Sequence, residues 1–322
     1  MTMAIAASST VIERPAAPWT IEAMPDLAGR RVVVTGANSG LGYVTARELA
    51  RRGARVVMAC RDRGRGEAAR VHLMQEAPGA DAEVRQLDLA SLESIRAFAC
   101  DWEDGALDLL VNNAGIALVP RSRTRDGFET HFGVNHLGTF ALTGLMLPHL
   151  LAARSPRVVT VSSEGQRWVQ LDLGNLNAER SYHPAFTYWR SKKANVYFAM
   201  QLQRWAAGAG VGLRSMTAVP GYAVTNVLTG GANAARGRIW HAVTPLLNRA
   251  LAKPTVEGAW SSLYAATVPD LPGASYIAPR GPFEFRGPPV PRNAYRAAYD
   301  TDTARRLWAI SEQLTGVVFR MP

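Results

Sequence analysis

From residue 30 onward, short apolar runs alternate with longer stretches whose apolar residues recur at helical spacing. The short runs predict strands at 30–35, 55–60, 82–88, 107–113, 157–163 and 211–219. Helices are predicted between the strands, for example at Gly40–Arg52 and 186–205. This β-α-β alternation is typical of a doubly wound α/β fold, in which helices cover both faces of a parallel sheet.

Two segments at the ends of the chain depart from the alternation. Residues 1–27 are predicted to be a flexible lead-in, and residues 28–322 are predicted to form a single domain. Within a C-terminal extension at 279–322, the Pro-, Gly- and Arg-rich stretch 279–299 predicts an irregular surface segment. A last helix is expected at about Asp302–Thr315.

An insertion at 222–256 separates the last of these strands from a helix that is predicted to begin near Pro254. Its apolar residues, including Trp240, favour a helical lid over a hydrophobic substrate. Tyr222 begins the lid, and Trp168 and Trp189 are expected nearby. The same residues would also suit simple packing between lid helices or an oligomer contact.

Composition narrows the possible classes of protein. Hydrophobic residues make up 48% of the 322 residues, which is enough for a buried core. The two cysteines are too few for a disulfide framework and lack metal-ligand spacing, so we expect no metal site and a cytoplasmic location. No apolar run is long enough to span a membrane, and the N-terminus does not resemble a signal peptide.

The net charge of +10 raises the question of nucleic-acid binding. The arginines are scattered, however, and no nucleic-acid-binding module or mixed basic and aromatic stretch is present. The densest group contains Arg61, Arg63 and Arg65 and lies where a cofactor phosphate could use it. We therefore expect a small-molecule ligand and no nucleic-acid partner.

A glycine-rich turn, T-G-A-N-S-G-L-G, follows the first predicted strand at 35–42. Glycines in such a turn allow backbone N–H groups to approach a pyrophosphate at a helix N-terminus. A glycine-rich turn alone is weak evidence, but its position between a strand and a helix favours dinucleotide binding. The expected contacts are Gly36, Asn38, Ser39, Gly40, Leu41 and Gly42.

The end of the second strand indicates which nicotinamide cofactor is preferred. An acidic residue there would bind the ribose hydroxyls and repel a 2′-phosphate. This chain instead has Cys60 followed by Arg61, whose guanidinium can bind a phosphate bidentately. The sequence therefore favours NADP(H) over NAD(H), although a solvated basic loop that opens a helix would look the same.

The ends of the third and fourth strands add further candidates. Asp88 and Leu89 follow the third strand, where the carboxylate would suit the adenine amino group or simply a turn or helix cap. The fourth strand ends in N-N-A-G, and Asn113, Ala114 and Gly115 would let the backbone approach a cofactor and join neighbouring strands.

Tyr188 and Lys192 are spaced i, i+4 on the predicted helix at 186–205, so they share one face. A phenol titrates near pH 10 in water, and a nearby ammonium would lower its pKa. Tyr188 would then act as a general acid or base. Such pairs also occur on many exposed helices, and Lys193 points about 100° further round the helix.

Polar residues elsewhere support the pair. The fifth strand ends in V-S-S-E-G, where Ser163, or alternatively Ser162, would hold a substrate oxygen against Tyr188. These serines would equally suit a turn or a helix cap. Asn135 lies in an apolar stretch, where it would make an internal hydrogen bond or position a water behind Lys192.

Together these motifs resemble the short-chain dehydrogenase/reductase family over about residues 28–270. The resemblance implies a Rossmann-type fold and a catalytic tetrad of Asn135, Ser163, Tyr188 and Lys192. It also implies that Tyr188 and Lys192 contact the cofactor, as does the PGYAVT loop. That loop contributes Pro220, Gly221 and Thr225.

Finer motifs resemble the branch that contains retinol dehydrogenases and WW-domain oxidoreductases. They are GANSGLG, ACRD and YWRSKKANVYF. The chain departs from this branch in its N-terminus, which lacks a membrane helix, and in Val219, where a histidine is common. A retinoid substrate is therefore not carried over.

The resemblance implies an NADP(H)-dependent oxidoreductase that interconverts a carbonyl and an alcohol on a bulky hydrophobic substrate, as a biosynthetic ketoreductase would. Two alternatives stay open: a pathway enzyme that reduces a double bond or epimerises, and a non-catalytic NADP(H) sensor. Relatives often associate through four-helix interfaces, so a homo-oligomer is possible, but the C-terminal extension could block them. The substrate, direction and stereochemistry are not determined.

Overall fold

The alternating pattern builds one eight-stranded sheet in a computed structural model that describes residues 18–221, 255–294 and 299–321. Its strands are β1 (Arg31–Thr35), β2 (Arg55–Cys60), β3 (Asp81–Gln86), β4 (Leu109–Asn112), β5 (Arg157–Val161), β6 (Arg214–Ala218), β7 (Tyr276–Pro279) and β8 (Pro289–Arg292). The strand order is β3-β2-β1-β4-β5-β6-β7-β8, and only the β7–β8 pair is antiparallel.

Helices cover both faces of this sheet. They are α1 (Gly40–Arg51), α2 (Arg63–Glu76), α3 (Leu92–Cys100), α4 (Thr130–Phe132), α5 (Gly138–Leu145), α6 (Leu147–Leu151), α7 (Pro184–Gly208), α8 (Thr255–Thr267) and α9 (Thr301–Thr315), with a π-helical turn at Gly133–Leu137 between α4 and α5. Short 3₁₀ turns lie at Ile21–Ala23, Glu164–Trp168, Leu173–Asn175 and Pro282–Glu284.

Alternation along β1 shows how the two layers arise. Val32 and Val34 pack with residues of α1 and α8, whereas Val33 packs with residues of α3, α5 and α7. Successive side chains of a strand point to opposite faces, so a strand that is apolar at every position requires cover on both sides. The predicted doubly wound parallel sheet is therefore confirmed.

The chain changes direction across the sheet between β1 and β4. Strands β2 and β3 lie on one side of β1, and β4 to β7 continue on the other. In open α/β sheets a crevice forms at this switch point, beyond the carboxyl ends of the strands. The fold thereby places the ends of β1, β2, β4 and β5 around one crevice.

The described part of the N-terminal segment packs against the domain. Trp19 is 8% exposed, and its ring lies edge-on to Trp260 at 6.4 Å and to Tyr264 at 5.6 Å. Residues 18–27 of the predicted lead-in are thus held against the domain, because this tryptophan buries its ring on α8. Residues 222–254, which include most of the predicted lid, lie outside the described residues.

The stretch predicted to be irregular at 279–299 contains a strand. β8 lies at the edge of the sheet, where proline is tolerated because an outward-facing edge position needs no N–H donor. Pro289 and Pro291 both belong to it. The prolines misled the prediction, since their lack of donors excludes a central strand but not an edge strand.

The C-terminal helix and tail complete the core. The predicted last helix is present as α9; its N-cap Asp300 accepts hydrogen bonds from two backbone N–H groups, and Gly316 ends it with a φ of 68°. Trp308 stacks on Phe198 of α7 at 5.9 Å, and Phe319 lies 5.0 Å from Phe140. No helix within the described residues is long and apolar enough to cross a membrane.

Candidate active site

The turn between β1 and α1 forms a cradle of backbone atoms. Gly36 and Gly40 have positive φ values of 66° and 56°. A Cβ on Gly42 would lie 2.3 Å from the carbonyl oxygen of Gly36, so only glycine fits there. Ser39 is the N-cap of α1, yet its side chain makes no capping hydrogen bond. The first N–H groups of α1 thus remain available for an anion, which fits a cofactor pyrophosphate.

Side chains tie the ends of β1 and β4 together beneath this cradle. The Thr35 hydroxyl oxygen accepts hydrogen bonds from the backbone N–H groups of Asn113 and Ala114 at 3.0 and 2.9 Å. The Asn113 amide donates to the Thr35 carbonyl at 2.8 Å. Asn112 instead donates to Thr143, away from the turn. The joining role expected of the N-N-A-G sequence therefore belongs to Asn113 and Ala114.

Two arginines lie where β2 ends. Arg61 and Arg65 line the crevice, and the side chain of Asp62 caps α2 by accepting a hydrogen bond from the Arg65 backbone at 2.9 Å. Cys60 lies beneath the glycine turn, where burial raises the pKa of its thiol to about 11. The Cys60 thiol is therefore neutral at physiological pH. The guanidinium groups of Arg61 and Arg65 fit a phosphate in addition to the pyrophosphate.

Asp88 combines the two roles considered for it. Its carboxylate accepts a hydrogen bond from the backbone N–H of Ala90 at 3.0 Å, as in an ordinary Asx turn. Asp88 and Leu89 both line the crevice. The carboxylate thus stabilises its own turn while it faces the ligand space.

A continuous cavity of about 520 Å³ joins the glycine turn to the end of β5. Among its lining residues are Gly36, Asn38, Ser39, Gly40, Leu41, Gly42, Arg61, Asp88, Leu89, Asn113, Ala114, Gly115, Ser163, Tyr188, Lys192, Pro220 and Gly221. These are all the described candidates for cofactor contact, together with Ser163. The backbone cradle, the arginines and the cavity's extent fit a nicotinamide dinucleotide.

The three residues predicted to contact the substrate differ in what the structure describes of them. Trp168 is 55% exposed and lies outside the lining of the cavity formed by the described residues, so its place at the substrate stays a prediction. The turn at Glu164–Trp168 directs it outward, and Trp189, which its ring contacts at 6.4 Å, lines the cavity instead. Tyr222 and Trp240, like the cofactor candidate Thr225, lie outside the described residues.

Helix α7 presents Tyr188 and Lys192 to the cavity from one face. The Lys192 ammonium donates to the carbonyl oxygen of Val161, at the end of β5, at 3.1 Å. The adjacent Lys193 points elsewhere and donates to the carbonyl of Val169. Successive residues of a helix are separated by about 100°, so Lys192 faces the cavity while Lys193 packs against the segment that contains Val169.

The two serines at the end of β5 differ in their partners. Ser162 is buried and donates to the carbonyl oxygen of Lys192 at 2.8 Å, which fastens β5 to α7. Ser163 lies close enough to Tyr188 to lower the pKa of its phenol, and its hydroxyl donates to Glu164 Oε2 at 3.3 Å. Of the two alternatives, the structure brings Ser163 to Tyr188.

Asn135 lies in the π-helical turn and is fully buried. Its Oδ1 accepts from the N–H of Ile116 at 2.8 Å, and its Nδ2 donates to the Ile116 carbonyl and to Ser191, each at 2.9 Å. A Cβ on Gly115 would lie 3.1 Å from Asn135 Oδ1 and 3.0 Å from Lys192 Nζ. Asn135 therefore makes the internal hydrogen bonds considered for it and also lies near Lys192.

The electrostatics of the site differ from the prediction. Burial raises the pKa of Tyr188, the negative charge of Glu164 raises it further, and the hydrogen bond from Ser163 opposes both effects. Burial also lowers the pKa of Lys192 to about 8. The expected lowering of the Tyr188 pKa by Lys192 is wrong for the protein's own groups, because the ammonium is directed to Val161 and Glu164 acts in the opposite sense.

Sequence reasoning missed Glu164. The residue lines the cavity beside Ser163, and burial raises the pKa of its carboxyl to about 7. The signal was the acidic residue in V-S-S-E-G, directly after the serine pair at a strand end. Apolar residues near the same end, Ile116, Leu118 and Val134, were not predicted either, because they lie outside recognisable motifs.

Comparison with known proteins agrees with this geometry. The family model described as short chain dehydrogenase matches residues 30–233. Retinol dehydrogenase 14 from Mus musculus is 41% identical over 310 residues, covering 90% of this chain and 87% of the relative. Polyprenol dehydrogenase from Mus musculus is 39% identical over 301 residues, covering 91% and 86%.

A solved structure is similar over nearly the whole chain. The crystal structure of an uncharacterised protein from Mycobacterium paratuberculosis is 44% identical with a TM-score of 0.79, and the match covers 95% of this chain and 100% of that one. The resemblance inferred from the motifs, including the branch with retinol dehydrogenases, is confirmed.

Proposed function

The chain belongs to the short-chain dehydrogenase family, and we propose that it interconverts a carbonyl and an alcohol on a bulky hydrophobic substrate with NADP(H), acting as a ketoreductase. Members of this family bind nicotinamide cofactors. One observation carries the proposal: Ser163, Tyr188 and Lys192 line one end of the cavity whose other end holds the glycine turn and Arg61.

The roles of the side chains follow from their contacts. In the reductive direction, Ser163 and Tyr188 donate hydrogen bonds to the substrate carbonyl oxygen and polarise it. NADPH, when bound, supplies the hydride to the carbonyl carbon. Tyr188 then delivers its proton to the oxygen as the general acid. For oxidation the same groups work in reverse, and Tyr188 accepts the proton.

Lys192 and Asn135 support the proton transfer. Lys192 can turn from the Val161 carbonyl toward the cofactor ribose, where its positive charge would favour the Tyr188 phenolate. A position beside Gly115 lies close to both Lys192 Nζ and Asn135 Oδ1. A water held between these two atoms, clear of the Gly115 backbone, would link the ammonium to the buried amide and carry the proton onward.

The preference for NADP(H) rests on the end of β2. Arg61 and Arg65 supply positive charge, and Asp62 is engaged as a helix cap. A bidentate guanidinium suits a 2′-phosphate, and Arg61 takes the position after β2 where an acidic residue would bind free ribose hydroxyls. Asp62 also lines the cavity, but its carboxylate accepts the hydrogen bond from the Arg65 N–H.

The substrate class rests on the catalytic end of the cavity. Ile116, Leu118, Val134 and Trp189 give it an apolar wall close to Tyr188. Two relatives are named for retinol and polyprenol, both of them hydrophobic alcohols. We propose a lipophilic alcohol or ketone of similar bulk, with a small polar head that reaches Ser163 and Tyr188.

The test is NADPH oxidation against a panel of bulky ketones and aldehydes. Tyr188→Phe should lower kcat by about 10²–10⁴-fold, since it removes the general acid, while NADPH binding is retained. The matched control is Tyr197→Phe, a buried tyrosine of the same helix outside the cavity lining, which should keep its activity. Full turnover by Tyr188→Phe would contradict the assignment.

Deuterated NADPH separates this proposal from its alternatives. Label on the carbinol carbon of the product is expected for a ketoreductase. Label on an alkene-derived carbon would indicate double-bond reduction, and tight NADPH binding without any transfer across the panel would favour a sensor.

A further inference from the structure

Glu164 is a carboxyl group that the proposed chemistry does not use, although it lies at the catalytic end of the cavity. It follows Ser163 directly and lines the same space as Tyr188. The Ser163 hydroxyl donates to its Oε2 at 3.3 Å. Its negative charge also raises the pKa of Tyr188, second only to burial. Glu164 therefore contacts one substrate-facing hydroxyl and influences the other.

The Ser163 hydroxyl has a single proton to donate, and two protein groups compete for it. Ser163 donates to the Glu164 carboxylate at 3.3 Å, and the Tyr188 oxygen, whose pKa Ser163 lowers, is the second acceptor nearby. A substrate oxygen would be a third acceptor. An ionised carboxylate can only accept hydrogen bonds, whereas a protonated carboxyl also donates one. The protonation state of Glu164 therefore decides whether the serine proton is available to the substrate.

The surroundings of Glu164 place it near the boundary between its two states. Burial has the largest effect and raises the pKa of Glu164 to about 7, and the negative charge of Glu284 acts in the same direction. Hydrogen bonds from its own backbone and from Ser163, together with the positive charge of Arg167, lower the pKa of Glu164. Glu284 is itself held by Arg167 at 2.5 Å and by the Tyr276 hydroxyl at 3.0 Å. Arg167 is thus shared between two carboxyl groups and only partly offsets the burial of Glu164.

Among the described residues, helix α7 contributes further titratable groups on this side. Tyr188 opens onto the cavity beside Glu164. Lys192 and Lys193 direct their ammonium groups to the carbonyl oxygens of Val161 and Val169. The described cation that acts on Glu164 is therefore Arg167.

We infer that Glu164 is a positioning residue for Ser163: when neutral it donates to Ser163 and leaves the serine proton to the substrate oxygen, and when ionised it withdraws that proton. The inference rests on the proposed function, because it concerns the same substrate oxygen. Ionised Glu164 also disfavours the Tyr188 phenolate by charge repulsion. When Glu164 ionises, reduction therefore loses the hydrogen bond that Ser163 donates to the substrate oxygen. Oxidation loses part of the Tyr188 phenolate that acts as its base.

The first test compares pH profiles of kcat/KM for ketone reduction at saturating NADPH. From about pH 6 to about pH 8.5 the unmodified protein should lose about tenfold, the worth of one hydrogen bond to a developing charge. Glu164→Gln should lose less than about twofold over that range, because its amide is uncharged and keeps an N–H donor for Ser163.

Two variants control this comparison. Glu164→Asp should restore the fall with pH, since it retains a titratable carboxyl. Glu179→Gln, at an exposed carboxyl outside the cavity lining, should follow the unmodified protein. Coincident profiles for the unmodified protein and Glu164→Gln would overturn the inference.

A second readout needs no turnover, so that failure of the proposed function remains distinguishable. Side-chain ¹³C NMR of the protein, compared with Glu164→Gln, identifies the Glu164 carboxyl, and comparison with Tyr188→Phe identifies the Tyr188 ring carbon. The carboxyl should titrate near pH 7 and the Tyr188 resonance should shift in step. A Glu164 carboxyl that titrates with an ordinary pKa of about 4.3 would overturn the inference. A Tyr188 resonance that does not shift near pH 7 would also overturn it.

Discussion

The two ends of the cavity are built in different ways. At the glycine turn the ligand surface consists of backbone N–H groups from one stretch of chain, Thr35–Gly42, held by Thr35 and Asn113. At the catalytic end it consists of side chains from β5, the turn after β5 and α7, with buried ionisable groups. The backbone cradle excludes a side chain at Gly42 but carries no charge to tune. The catalytic end depends on charges whose balance several distant segments set.

The largest expected effect lies at the catalytic end, where Lys192→Met should lower kcat by about 10²–10⁴-fold. The same change should stabilise the protein at pH 7 by about 3 kcal/mol. The reason is that burial lowers the pKa of Lys192 to about 8, below its ordinary value of 10.5, so the folded state disfavours the charge. Kinetics and denaturant unfolding at pH 7 measure the two effects.

The sign of this effect can be checked with pH. Between about pH 8 and pH 10.5 the unfolded chain binds more protons at Lys192 than the folded protein does, so stability rises with pH across that window. The advantage of Lys192→Met should therefore shrink over the same range. A variant less stable than the parent at pH 7 would show that the buried ammonium is well compensated.

At the cofactor end, Arg61→Ala should raise the Kd for NADPH by about ten- to a hundredfold, because a charged hydrogen bond to phosphate is lost. The Kd for NADH should hardly change. Arg63→Ala is the matched control, since Arg63 begins α2 but lies outside the described cavity lining. Equal losses for both cofactors, or for both arginines, would mean that Arg61 does not select the phosphate.

The cradle itself can be tested with Gly42→Ala. The new Cβ would meet the Gly36 carbonyl oxygen at 2.3 Å and Asn113 Nδ2 at 2.4 Å, so the turn must shift. We expect a loss of about 1–3 kcal/mol in unfolding free energy and weaker binding of both cofactors. Gly208→Ala, where the added Cβ meets nothing within 4 Å, should be close to neutral. Fluorescence titration with each cofactor and thermal unfolding measure the difference.

The smallest effect concerns Glu164→Gln and stability. The folded-state pKa of Glu164, about 7, lies above its ordinary value of 4.5. Its contribution to the unfolding free energy is therefore fully present below about pH 4.5 and is lost as pH rises through 7. Because the residue is partly exposed, we expect a change of about 1 kcal/mol across that window. Glu164→Gln should lack this change in unfolding experiments. Parallel curves for the two proteins would indicate an ordinary carboxyl.

Much of the fold could be predicted from local pattern. Six strands and the helices α1, α7 and α9 were predicted within a few residues of their observed bounds, since each carries a clear period or a strong end signal. β7 and β8 were not predicted. Both are short strands that contain proline, and they are recognised as strands because they pair with each other. Such pairing cannot be derived from one segment considered alone. Trp19 was missed for a similar reason, because its groove on α8 exists only after folding.

The sequence by itself determined the order of the elements, the glycine turn and the pairing of Tyr188 with Lys192 on one helix face, since backbone conformation and helical spacing are local properties. Only the tertiary structure decided that Ser163 rather than Ser162 faces Tyr188, that Trp189 rather than Trp168 lines the described cavity, and that Glu164 joins the site. The tertiary structure alone also decided the pKa values of Tyr188, Lys192 and Glu164. Burial and charge depend on residues brought together from distant parts of the chain, and no local pattern encodes their sum.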